Sequence, residues 1–373
     1  MNFLKIISVF LAVAVLQPMF SLFSFAEEAS GISAESAVLI LADTGEVIIS
    51  RAPNKRMPMA STTKIMTAIS VIENFDIART LTIPKEAEGV EGSSAYLRAG
   101  ERYTVTELLY ALMLSSANDA AVALAVGCGG SIEDFAEIMN DKACDLGLSD
   151  THFSNPHGLD AKEHYSTAYD LALIMAYAMK NETFRTVTAS GSYTCSSKGN
   201  ESKVFYNHNK LLDRYQWCTG GKTGFTKLCG RCLVSSAEKD GVELICVTLN
   251  ASDDWNDHEK MFEAGFERYQ RIELVSEDGI LYSLPTVNGE KERVKAFAKP
   301  CDAVIERDDS RYIKTVTELE RFYYADIKKG QRLGSIVFYQ GEKEIARSDI
   351  IATEEVKELK YKNFFWRILS VFK

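Results

Sequence analysis

Three short motifs follow one another along the 373-residue chain: Ser61-Thr62-Thr63-Lys64, Ser116-Ala117-Asn118 and Lys222-Thr223-Gly224. A serine hydroxyl is a poor nucleophile until a base takes its proton, and a lysine can be that base only when neutral. Moving a lysine pKa from about 10.4 toward 7 costs roughly 4–5 kcal/mol. Burial and a second nearby cation supply such a shift, and Lys222 is the natural second cation. Ser61 follows Pro58 and precedes Ile65, Ile69 and Ile72, which recur at helical spacing. A helix starting there puts Ser61 and Lys64, three residues apart, on one face. It also offers an oxyanion a backbone N–H and the positive end of a dipole.

No motif decides the matter alone. A chain of this length holds on the order of one S-x-x-K by chance, and Ser236-Ala237-Glu238-Lys239 is a second match. K-T-G is expected only about 0.1 times and occurs once. Ser61 could equally be a helix N-cap with Lys64 in solvent. Ser116 and Asn118 lie past a helical run ending near Leu114, and such polar residues among small apolar ones either cap a helix junction or aim into a cleft. On a strand, Lys222 and Gly224 share one side, and Gly224 leaves room for close approach of a backbone or ligand.

The elements that must position these residues can be read coarsely. Ala37 to Ser50 alternates about Asp43-Thr44-Gly45-Glu46, which predicts a hairpin. Helical patterns follow at Val105–Leu114, Asp119–Val126, Ile132–Leu146 and Thr167–Met179. Strand-like runs return at Ser192–Cys195, Gly221–Phe225, Cys232–Ala237 and Leu244–Leu249. Helices inserted between two sets of strands make an α+β domain on an antiparallel sheet, expected over residues 27–272. From about Ile272 short β runs with glycine turns (Ile280–Leu284, Val294–Ala298, Ala303–Ile305, Gln331–Tyr339, Glu344–Ala346) predict a small all-β domain over 273–352.

Both ends carry apolar segments. Lys5, the apolar run Ile6 to Leu16 and the small residues of Ser24-Phe25-Ala26 predict an export signal over 1–26, cleaved before Glu27. In the tail, 353–373, Tyr361, Phe364, Phe365, Ile368, Leu369 and Phe372 recur at helical spacing, which predicts an amphipathic helix lying on a membrane surface. The formal charge of −10 speaks against nucleic acid as a partner, since phosphate binding needs a basic surface. A composition of 46% hydrophobic and 25% charged residues excludes wholesale disorder. Eight cysteines in an exported chain permit disulfides, but no pairing follows from the sequence. Cys229-Gly-Arg-Cys232 has redox or zinc spacing without a second ligand pair, so buried cysteines or one disulfide is the expectation.

Together the motifs resemble the serine penicillin-binding proteins, specifically the low-molecular-weight D,D-carboxypeptidases. Pro58-Met59-Ala60, Lys222 to Thr226, Asn155-Pro156-His157-Gly158-Leu159 and His164-Tyr165-Ser166-Thr167-Ala168 extend the likeness over about residues 35–350. The resemblance implies a penicillin-binding-protein fold and removal of the terminal D-Ala from peptidoglycan stem peptides, with β-lactams as inhibitors and neither metal nor cofactor. It implies Ser61 as nucleophile, Lys64 as general base and Ser116 as proton relay. Asn118 would hold the substrate amide and Lys222 with Thr223 the terminal carboxylate, on the strand that continues through Gly224. The N–H groups of Ser61 and Phe225 would form the oxyanion hole. Two positions depart from the family pattern: His208 within Asn207-His208-Asn209-Lys210-Leu211-Leu212, and Asp257 within Asp254-Trp255-Asn256-Asp257-His258, where the family often has Arg. A Ser-His-Asp scheme on His157 or His208 lacks a nucleophile setting of its own. A β-lactamase would need a Glu-activated water, and no Glu-x-x-Leu-Asn follows Asn118 at the expected interval. A non-catalytic β-lactam sensor would carry several membrane spans and a cytoplasmic partner domain, and neither is visible.

Overall fold

The described chain opens as β1 (Glu27–Glu28), which pairs in parallel with β3 (Val47–Arg51). β3 pairs antiparallel with β2 (Ser36–Leu41), forming the expected hairpin, and Gly45 at φ +72° supplies the left-handed turn. The computed structural model describes residues 27–195, 202–307 and 312–359. Residues 1–26, where the export signal is expected, and 360–373, where the apolar tail stripe is expected, lie outside them. The described residues fall into two compact units. The first runs to Ala237 and resumes over Leu244–Met261; the second takes Glu238–Glu243 and the chain from Phe262. That division precedes the change of texture at Ile272, because one continuous helix, Asp254–Arg268, crosses it.

The first unit interrupts its sheet with helices. α1 (Lys64–Asn74) is buried on every face from Lys64 to Val71, rather than along the single stripe that Ile65, Ile69 and Ile72 suggest. It is the central strut of the core, together with α2 (Val105–Leu114), α3 (Asn118–Leu124), α4 (Ile132–Asp145), α5 (Ala168–Met179) and α6 (Glu182–Ala189). Caps fix where these helices start. Thr104 and Glu107 form a capping box for α2, Ser131 caps α4, Thr167 caps α5 and Asn181 caps α6, each satisfying backbone donors that a helix end leaves bare.

Two short antiparallel pairs accompany this helical layer: β4 (Thr80–Thr82) with β5 (Arg102–Thr104), between α1 and α2 in sequence, and β6 (Ser192–Cys195) with β7 (Lys203–Tyr206), after α6. After α7 (Leu211–Arg214) come β8 (Cys218–Thr226), β9 (Gly230–Lys239) and β10 (Val242–Leu249), then α8 (Asp254–Arg268). The sheet order is β1-β3-β2-β10-β9-β8, so β2 pairs with β10 and β8 is an outer strand with one free edge. All eight cysteines are free thiols, with Cys229 and Cys232 both buried, so no disulfide joins that pair.

The second unit is β-rich, as expected, and more extensive than its sequence pattern showed. β11 (Tyr269–Val275) pairs with β14 (Cys301–Glu306), and a six-stranded sheet runs β15-β17-β18-β13-β12-β16. Its members are β12 (Ile280–Val287), β13 (Arg293–Ala298), β15 (Ile313–Leu319), β16 (Tyr323–Tyr324), β17 (Arg332–Gln340) and β18 (Lys343–Ala352). The unit does not end at Ala352. Val356 is buried in its core and bridges Ile327, while Glu358 bridges Gly289, so residues 353–359 belong to the β unit and not to a tail helix.

Candidate active site

Ser61 lies in a 3₁₀ turn, Ala60–Thr63, that runs directly into α1, so Ser61 precedes the α-helix and Lys64 is the helix's first residue. The turn begins with Ala60 at φ +47°, a left-handed conformation that costs a non-glycine residue about 1–3 kcal/mol and needs support from its surroundings. Thr62 Oγ1 donates to the Met59 carbonyl at 2.6 Å, and Thr63 Oγ1 donates to the Ala60 carbonyl at 2.8 Å. Thr63 Oγ1 in turn accepts from His164 Nε2 at 2.8 Å, because His164 Nδ1 is already the acceptor for the Ser154 N–H at 3.0 Å. Burial pushes His164 down to about 3, so it is a neutral strut beneath the turn.

Lys64 is fully buried, and its Nζ stands 2.7 Å from each of three oxygens: Ser61 Oγ, Asn118 Oδ1 and the His157 carbonyl. Desolvation, then the charge of Lys222, drives its pKa well below the ordinary lysine value, against an opposing pull from Asp119. A neutral amine has two N–H donors and one lone pair. Two of its three partners are carbonyl oxygens that can only accept, so they take both N–H groups. In the neutral form the lone pair is left for the Ser61 hydroxyl to donate to, whereas the ammonium form donates to Ser61 Oγ as well.

Asn118 is the other half of this arrangement. Its Oδ1 accepts from Lys64, its Nδ2 donates to the Glu91 carbonyl at 2.6 Å and its N–H donates to the Ser93 carbonyl at 2.7 Å. Both ends of its amide are therefore engaged within the protein. Asp119 beside it accepts from Ser94 Oγ and from the N–H groups of Ala95 and Leu97, tying down the same loop. Ser116, two residues before Asn118, is buried with φ +57°, a second strained backbone position at the site.

β8 closes the other wall. A Cβ built on Gly224 would lie 3.1 Å from the Ser61 nitrogen, the Met59 carbonyl and Ala60 Cβ, so this strand passes the Ser61 turn closely enough that any side chain would force a few tenths of an ångström of movement. Lys222 is buried, donates to the Thr223 carbonyl at 3.0 Å and is lowered by desolvation to about 7. Phe225 is 66% exposed at the rim. Ser61, Ser93, Ser116, His208, Lys210, Thr223, Gly224 and Phe225 line a cavity of about 360 Å³, joined there by Arg231, Asp254 and Trp255.

Of the eight sequence candidates Ser61, Ser116, Thr223, Gly224 and Phe225 line this cavity, Lys64 bonds Ser61 and Asn118, and Lys222 is buried on β8. The competing S-x-x-K forms no such group: Ser236 and Lys239 lie on β9, where residues three apart face opposite sides, and Ser236 is bonded to Thr219 Oγ1 at 2.7 Å. Three features escaped the sequence. The first is the His157 carbonyl, a backbone group with no side-chain signature, presented by a turn in which Asn155 Oδ1 accepts from the Gly158 N–H at 2.7 Å. The second is Gly158 itself, where a Cβ would lie 1.9 Å from the Ala60 carbonyl oxygen. The third is Arg231, hidden between the two cysteines of Cys229-Gly230-Arg231-Cys232. Its register opposite Phe225 was the available signal. Of the two departures, His208 lines the cavity, whereas buried Asp257 accepts from the N–H and hydroxyl of Ser33 and is occupied away from it.

Comparison with known proteins agrees with this geometry. Residues 24–253 match the family model described as D-alanyl-D-alanine carboxypeptidase, and residues 269–358 match that of the penicillin-binding protein 5 C-terminal domain. The chain is 32% identical over 349 residues to D-alanyl-D-alanine carboxypeptidase DacF of Bacillus subtilis, covering 90% of this chain and 89% of that protein. It is 30% identical over 360 residues to DacC of Escherichia coli, covering 91% and 88%. Among solved structures, penicillin binding protein 5 of Haemophilus influenzae superposes with a TM-score of 0.71 at 27% identity, over 88% of this chain and 98% of that one.

Proposed function

The chain belongs to the serine D-alanyl-D-alanine carboxypeptidase family, a penicillin-binding hydrolase of cell-wall peptides, and on that premise we propose how its residues divide the reaction. Ser61 Oγ attacks the carbonyl carbon of the penultimate D-Ala while its proton passes to the Lys64 lone pair. The resulting oxyanion is received by the N–H groups of Ser61 and Phe225. The C–N bond then breaks, Ser116 relays a proton to the departing D-Ala nitrogen, and an ester remains on Ser61. Water attacks that ester and releases the shortened peptide. Asn118, its amide spent within the protein, positions Lys64, and Thr223 on the cavity wall lies toward the terminal carboxylate. The free edge of β8 suits an extended peptide, which can add to it as a further strand.

The observation that carries this reading is the set of three 2.7 Å contacts of Lys64, which spend both N–H groups on carbonyls and leave a base facing Ser61. The β-lactamase alternative is disfavoured by the cavity lining, whose one carboxylate, Asp254, is ion-paired with Arg231 at 2.6 Å and so is no free base for water. The deciding assay is release of D-Ala from a diacylated tripeptide ending in D-Ala-D-Ala. The wild-type protein releases it and Ser61→Ala does not; equal release by both sinks the assignment of Ser61.

We also propose that the protein works outside the cytoplasm, exported through residues 1–26 and held at the membrane surface by its tail. Among the described residues no helix is long and apolar enough to cross a bilayer. The support is therefore the sequence pattern of the two ends together with a wall-peptide substrate.

A further inference from the structure

Arg231 lies directly opposite Phe225 in the β8–β9 register. By strand alternation Thr223, Phe225 and Arg231 share one side of the pair, and Lys222 belongs to the other. Arg231 Nη2 and Nε donate to one oxygen of Asp254, at 2.6 and 3.1 Å, and the guanidinium sits 5.6 Å from the Trp255 ring. Asp254 Oδ1 also accepts from the Trp255 N–H at 3.0 Å. The fork is held from one side, while its Nη1 edge makes no hydrogen bond among the described residues. Arg231 and Asp254 both line the cavity with Ser61. Lys222, by contrast, is buried, spends a donor on the Thr223 carbonyl and is neutral in part near pH 7. A guanidinium stays charged at every working pH.

We propose that Arg231 is the residue that reads the substrate's terminal carboxylate, with Lys222 acting chiefly on Lys64. This deepens the carboxypeptidase reading and rests on it. Because Asp254 balances the charge of Arg231, recognition is directional: the free Nη1 edge donates to the carboxylate, and Asp254 with Trp255 fixes where that edge points. His208 and Asp257 leave this the guanidinium of the cavity lining. The pocket thereby selects substrates ending in a free carboxylate from a strand different from that of the K-T-G motif.

The test compares second-order acylation by benzylpenicillin and by its methyl ester, followed by intact mass, in wild type, Arg231→Gln, Arg231→Gln/Asp254→Asn and Arg231→Lys. The double variant removes the unpaired carboxylate that Arg231→Gln alone leaves, and thermal melts of all four report folding. The expected result is a preference for acid over ester that falls about 10- to 100-fold in both Gln variants, with the ester rate retained and partial recovery in Arg231→Lys. An unchanged preference, or equal loss with acid and ester, overturns the proposal and leaves Arg231 a structural residue. D-Ala release is measured alongside: its absence in wild type strikes the carboxypeptidase reading, while the acid-to-ester ratio still reports on Arg231.

Discussion

Gly224 runs so close to Ser61 that a Cβ on it would lie 3.1 Å from the Ser61 nitrogen. Two of the three nearest atoms are backbone, so Gly224→Ala requires β8 and the turn to part by a few tenths of an ångström. We expect about a 10- to 100-fold loss in penicillin acylation rate with little change in melting temperature, because oxyanion donors depend on sub-ångström placement. Acylation at the wild-type rate would mean that β8 and the Ser61 turn are not held in this register during catalysis.

Lys64→Arg puts a permanent cation where the reaction needs a neutral amine, and its larger head must displace the Asn118 and His157 carbonyl contacts. Turnover should fall by at least about 10³-fold. Lys222→Arg should be milder, though it removes a cation that can lose its charge near pH 7. The wild-type kcat/KM should rise with pH as Lys64 becomes neutral and flatten or fall above about 7 as Lys222 does so. Equal damage from both substitutions, or a profile flat through neutrality, contradicts this division.

Benzylpenicillin should add once, at Ser61, and remain long enough for intact-mass detection. Its strained amide meets the same nucleophile, while the opened ring keeps the leaving amine tethered. Ser61→Ala should abolish the adduct. A mass shift mapped instead to the fragment bearing Ser236 and Lys239 would show that the β9 strand, and not the α1 turn, holds the reactive serine.

Three histidines should make the fold acid-sensitive. Desolvation is the first cause of each shift, holding His157 at about 4 and His164 and His258 at about 3, below the unfolded value near 6.5. Folded pKa values below the unfolded ones mean stability that is full above 6.5 and is lost as pH falls toward 3. Near pH 5 the unfolded chain binds about three more protons, a slope of about 4 kcal/mol per pH unit. Denaturant titrations from pH 7 to 4.5 measure it, and His258→Asn should lower the slope by about a third. His258, between Ser235 Oγ and Thr248 Oγ1, lies outside the cavity lining, so activity at pH 7 should persist in that variant.

For the tail, the informative truncation ends at Leu359 rather than Ala352, since Val356 is part of the β core. Sedimentation with anionic vesicles should drop in the truncated protein. Binding as strong as that of the longer chain would dispose of the membrane-anchor proposal.

Much of this site was legible because its chemistry resides in side chains with fixed spacing. Ser61 and Lys64 are local to one turn, and Lys222 and Gly224 to one strand. α2 was readable from the helical pattern of Val105–Leu114, and its start is fixed by the capping box of Thr104 and Glu107. What could not be read is non-local or carries no side chain. The His157 carbonyl reaches Lys64 across 93 residues of sequence. Arg231 acquires meaning only through its strand register with Phe225 and its pair with Asp254. α1 looked amphipathic because Thr67 and Ser70 interrupt its apolar pattern, yet both are buried, and Thr67 is paid for by a bond to the Pro156 carbonyl at 2.7 Å. Residues 353–359 lacked strand periodicity because they join the β unit through single bridges.

The pairing of β2 with β10 bears on the order in which the molecule can be made. Ser33 meets Asp257 across 224 residues, and Val38 pairs with Val247, so β2, though paired early with β3, gains its second neighbour only when nearly the whole catalytic unit has followed. Long-range pairing of this kind is slow to nucleate. A nascent chain in this state stays threadable, which suits the export proposed above. The circuit that closes the sheet thus also acts as a timer, delaying assembly of the Ser61 pocket until the chain that carries it is nearly complete.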